Sequence, residues 1–69
     1  MVDTLQLEAR IKDSGKTKTY LASKLGITIQ SLRLKSLNRS EFNSTEITVL
    51  CEELGITRLT DKEKIFFKK

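Results

Sequence analysis

The stretch Thr17–Leu37, TKTYLASKLGITIQSLRLKSL, reads as two short helices joined by a tight turn. Thr17 is placed to cap the first helix, because its side-chain oxygen can accept an orphan backbone N–H. Tyr20, Leu21 and Leu25 supply an apolar stripe. Gly26 ends the helix, since glycine takes the left-handed conformation without a Cβ penalty. Thr28 caps the second helix, and Ile27 and Leu32 fall at the N′ and N4 positions of a hydrophobic staple. Ala22 is small where the helices should cross, Gly26 is at the turn, and Leu32 points back into the angle between them. A helix-turn-helix needs this spacing to pack steeply; an ordinary helical hairpin in a small α-domain also fits it.

Outward from this stretch, the predicted elements are all helical. Asp3 as N-cap with Gln6 three residues on predicts a capping box, Val2 staples to Leu7, and the helix runs to about Ser14, where Gly15 stops it. Leu7 and Ile11 face the core, Leu5 and Ala9 form a flanking stripe, and Arg10 and Lys12 face solvent. The next helices are Lys16–Leu25 and Thr28–Leu37, followed by a polar loop, Asn38–Glu41. Phe42, Asn43, Glu46 and Ile47 predict a second staple and capping box. The helix they open carries Ile47, Leu50, Cys51 and Leu54 at i, i+3, i+4 and i+7, the clearest helical period in the chain. Gly55 ends it. Leu-Gly-Ile-Thr occurs at both Leu25–Thr28 and Leu54–Thr57, one stop signal used twice. A last helix is expected near Thr60, boxed by Glu63 and carrying Ile65, Phe66 and Phe67 before Lys68 and Lys69. The expectation is one all-α domain over residues 1–69.

Composition narrows the chemistry. A chain of 69 residues suffices for one small core, and a domain this size buries only ~60% of its unfolded surface. With one cysteine and no histidine, an internal disulfide is impossible and a zinc site is not expected. Cys51 lies in an apolar helical stripe and reads as a reduced core residue, suiting a cytoplasmic setting. No apolar run approaches the ~18 residues of a membrane span, and no signal peptide is evident. Without histidine, a paired-carboxylate constellation, a glycine-rich phosphate loop or a metal set, no enzyme, cofactor or small-molecule substrate is expected. Glu52 and Glu53 are adjacent and diverge on a helix, as solvent charges do.

Charge is unevenly distributed. The chain carries +4 overall, yet Ser14–Ser40 has no acidic residue and six basic ones, Lys16, Lys18, Lys24, Arg33, Lys35 and Arg39. Glu41–Thr60 has four acidic residues against one basic. A basic block coinciding with a helix-turn-helix is the footprint of a polyanion-binding face. At ~100° per residue, Leu32 and Ser36 of the third predicted helix turn toward the core, with Ile29 and Lys35 on the flanks. Gln30, Arg33, Leu34 and Leu37 gather on the outer side. Docked in a major groove, Gln30 suits adenine, Arg33 guanine or a phosphate, Leu34 and Ile29 a thymine methyl, and Ser31 a base edge or phosphate. Phosphate contacts are expected from Thr17, Lys18 and Thr28 at helix N-termini, from Lys35, and from Asn38 and Arg39 beyond the third helix. Leu34 and Leu37 fit equally a protein-contact surface or a core in another register.

The chain resembles the repressor and Cro-type helix-turn-helix regulators of phages, in particular the short forms of phages and prophages of Gram-positive bacteria. The resemblance lies in Leu21-Ala22, Lys24-Leu25-Gly26-Ile27-Thr28, Gln30-Ser31-Leu32 and Leu34-Lys35, continues in Phe42 with Glu46-Ile47, and ends in Ile65-Phe66-Phe67. It implies a compact five-helix repressor-like domain that binds operator DNA through its third helix and acts in a lysis–lysogeny switch. Carried over, Ile29, Gln30, Arg33 and Leu34 face the groove, and Thr17, Lys18, Thr28 and Asn38 hold phosphates. Members often have a polar group where Lys18, Ile29 and Leu34 stand, and glycine where Asn38 stands. A homodimer on a palindromic operator would have half-sites ~10 bp apart; its surface is open, with Phe66, Phe67 and the tail as candidates because they are large apolar residues at a chain end. The alternative is a small antirepressor that binds a phage repressor protein through the outer face of the third helix.

Overall fold

A computed structural model describes residues 1–68; Lys69 lies outside the described residues. Five helices follow one another, α1 (Thr4–Ser14), α2 (Lys18–Leu25), α3 (Ile29–Ser36), α4 (Ser44–Leu54) and α5 (Leu59–Phe66), with no strand among the described residues. The all-α expectation holds. Helix α2 packs on α3 and α4, and α1 packs on α4 and α5.

Each helix drives one large side chain fully into a single core: Leu7, Leu21, Leu32, Leu50 and Ile65. Around them close Val2, Ile11, Ala22, Ile47, Cys51, Leu54, Ile56 and Phe66. Phe42 packs edge-on to Phe66, ring centroids 5.9 Å apart, so Phe66 is a core residue and drops out as a dimer candidate. Phe67 stays exposed.

Three helices start where local chemistry says they should. The Thr17, Thr28 and Asn43 side chains accept from the backbone N–H groups of Tyr20, Ser31 and Glu46. Glu46 completes the box by accepting from Asn43 N–H at 3.0 Å. Helix α2 begins at Lys18, two residues after the expected Lys16, because Thr17 is itself the cap. In α1, Asp3 caps Gln6 N–H, but the expected box does not close. Gln6 Nε2 donates to the Asp3 carboxylate instead, since the Asp3 N–H is already given to the Ile65 carbonyl at 2.6 Å. Helix α5 also departs from expectation. It begins at Leu59 behind Arg58, with no side-chain cap, and Thr60 lies inside its first turn.

The first residues are stitched to the ends of α3 and α5. Lys68 N–H donates to the Met1 carbonyl at 2.9 Å, and Thr4 Oγ1 donates to the Ser36 carbonyl at 2.6 Å. Leu5 and Ala9 turn outward, and Arg10 meets Asp61 of α5 at 3.5 Å.

Candidate nucleic-acid interface

The turn between α2 and α3 is three residues long. Gly26 adopts φ +71° and gives its N–H to Ser23, while Ile27 N–H reaches back to the Ala22 carbonyl at 3.0 Å. That pair of bonds is a Schellman stop. It turns the chain so that Leu32, fully buried, and Ser36, which donates to the Leu32 carbonyl, define the inner side of α3. The outer side is left uncovered: Gln30 and Arg33 are exposed, Ile29 is 43% exposed, Leu34 39% and Leu37 52%. Ser31 is half-buried. Of the two options for Leu34 and Leu37, core packing is thereby excluded.

The basic block is less basic in space than in sequence. Lys16 Nζ donates to Glu53 Oε1 at 2.9 Å and to the Glu53 carbonyl at 2.6 Å. Lys18 meets Glu8 at 2.9 Å. Lys35 Nζ donates to both carboxylate oxygens of Glu46, at 2.6 and 2.7 Å, with both side chains largely covered. Half of the six cations are thus matched by acids from α1 and α4. Among the described residues, Lys24, Arg33 and Arg39 of the block remain without an ion pair.

Two expected phosphate ligands are otherwise engaged. Lys35 is withdrawn from solvent by Glu46. Burial pushes the Glu46 carboxyl up, but the Lys35 ammonium and the Asn43 N–H outweigh it and hold it below the usual glutamate range. Asn38 takes the left-handed conformation, φ +62°, in place of the customary glycine. Its amide then clamps Val2 at both backbone groups: Oδ1 accepts from Val2 N–H at 2.7 Å and Nδ2 donates to the Val2 carbonyl at 2.9 Å. Lys35 is thus not a free phosphate donor, while Asn38 is exposed with its amide engaged by Val2. Thr17 and Thr28 spend their hydroxyl oxygens on capping, Lys18 shares its charge with Glu8, and Arg39 is exposed with none of these ties.

A second cluster went unseen in the sequence. Tyr20, expected in an apolar stripe, is 41% exposed. Its ring lies 5.7 Å from the Lys16 ammonium and 5.5 Å from that of Lys24. The Lys16 ammonium, bonded to its carboxylate, holds Glu53 below the usual glutamate range. The i, i+4 spacing of Tyr20 and Lys24 on α2 was the available signal, whereas Lys16 reaches the ring from ahead of the cap.

Among the described residues no cluster of potential metal ligands occurs, and no helix is long and apolar enough to cross a membrane. Cys51 is buried and free, its thiol pushed up by burial. Comparison with family models, curated proteins and solved structures returned no match.

Proposed function

We propose that this chain is a sequence-specific, Cro-like regulator that binds double-stranded operator DNA with α3 in the major groove. The observation that carries the reading is the α2–turn–α3 unit. Its buried Leu32 fixes the rotation of α3, and Gln30, Arg33 and Leu34 are left uncovered on one side. Gln30 and Arg33 are then the base readers, with Ile29 and Ser31 beside them, and Lys24 and Arg39 are the backbone cations. Thr17, Thr28 and Lys18 contribute through the helix N-termini they flank. The phage or prophage role, the cytoplasmic setting and a non-enzymatic mode of action without cofactors belong to the same proposal.

The test is a gel-shift titration on the DNA flanking its own gene, at two salt concentrations, with unrelated DNA as competitor. Binding that survives competitor and loses about 1–3 kcal/mol on Gln30→Ala or Arg33→Ala supports the reading. With so few unpaired cations on this face, the salt slope should be shallow, about one unit per phosphate contact. Weak binding that unrelated DNA removes would sink the reading. Exposed Leu34 and Leu37 favour the second reading, an antirepressor that docks on a phage repressor protein, and a pull-down would then follow.

A further inference from the structure

We infer that the outer face of α3 reads thymine C5-methyl groups, so that the half-site it takes is centred on A·T pairs. The inference rests on the operator reading above. Eight large apolar side chains are exposed among the described residues, and three of them, Ile29, Leu34 and Leu37, belong to α3 and its final cap. At ~100° per residue, Leu34 stands opposite the midpoint of Leu32 and Ser36. Leu37, Gln30 and Leu34 fall within ~60° of one another, and Arg33 lies ~40° to one side. The middle of the exposed face is therefore aliphatic, with one amide.

An aliphatic side chain offers a base edge neither donor nor acceptor. In the major groove the thymine methyl is the apolar group that answers it. Over a G·C pair, Leu34 would cover guanine N7 and O6 and the cytosine amine, which would lose water and gain no partner. Gln30 lies one helical turn before Leu34, and its amide matches adenine N6 and N7. The thymine paired with that adenine, or with its neighbour, presents its methyl on the same groove floor. Gln30 and Leu34 thus select the same base pairs by different chemistry. Arg33, at the edge of the stripe, is left for a flanking guanine or phosphate.

The experiment selects sites for the whole chain from a random duplex library. It then compares affinity for the best site with deoxyuridine replacing each thymine in turn. At one or more positions uracil should weaken binding about fourfold, the worth of one buried methyl group. Leu34→Ala should weaken binding to the thymine site and abolish the uracil effect at that position. Leu34 lies outside the core, and a circular dichroism spectrum checks that the variant is folded. A site that tolerates uracil everywhere, or a variant that keeps the full discrimination, overturns this inference and leaves the operator reading standing. Enrichment of no site at all overturns both and points α3 toward a protein partner.

Discussion

The tetrapeptide Leu-Gly-Ile-Thr is used twice, and the two copies agree on how a helix ends but not on how the next begins. At Gly26 and Gly55 φ is +71° in both. Ile27 N–H bonds to Ala22 at 3.0 Å, and Ile56 N–H bonds to Cys51 at 2.9 Å. After the first copy Thr28 caps α3 at once. After the second, Thr57 caps nothing, and α5 starts behind Arg58 without a side-chain bond. The difference lies downstream. Counting from Thr28, the N4 position holds Leu32, which the core fully covers. Counting from Thr57, it holds Asp61, which cannot staple to Ile56 and instead meets Arg10. Both stops are decided within six residues, Ala22–Ile27 and Cys51–Ile56, whereas the exact start of the following helix shifts with whether an apolar partner lies a turn later.

The largest break of this comparison is Leu32→Ala. It removes the staple and a fully buried leucine together, at a cost of about 3 kcal/mol in a denaturant titration. Next come Gly26→Ala and Gly55→Ala. A Cβ at either glycine meets nothing within 4 Å, so the cost is backbone conformation alone, about 1–2 kcal/mol at each. Costs that differ by more than about 1 kcal/mol would show that the stop is not local. Thr28→Ala should cost about 1 kcal/mol, whereas Thr57→Ala should stay within about 0.5 kcal/mol. An equal loss at both would refute the asymmetry. The smallest effect is on pH. Only the second stop has a carboxylate clamp, Glu53 held by Lys16. Because Glu53 sits below its ordinary range, the clamp contributes fully above that range and fades as pH falls through the depressed value. Between about pH 6 and pH 3, the exchange protection of the Ile56 amide should drop relative to that of Ile27.

The helices and their caps were largely legible because caps, staples and Schellman stops are encoded over four to six adjacent residues. The inner and outer sides of α3 were legible for the same reason: periodicity alone puts Leu32 and Ser36 opposite Leu34. What could not be read was long-range partnership. Lys35 and Glu46 are eleven residues apart and Lys16 and Glu53 thirty-seven, so a block without acids in sequence becomes half neutralised in space. Asn38 looked like a polar loop residue, and only the fold brings Val2 to its amide. The uncapped start of α5 was missed because Thr60 and Glu63 have box spacing, yet the chain reaches helical geometry before them.

The placement of Tyr20 has a practical consequence for spectroscopy. It is the sole tyrosine in a chain without tryptophan, so the intrinsic emission of the protein originates almost entirely at one ring. That ring lies against two ammonium groups, one of which, Lys16, holds Glu53 near the end of α4. Fluorescence intensity therefore reports on the α2–α4 junction, and titrations with acid or denaturant need no attached dye.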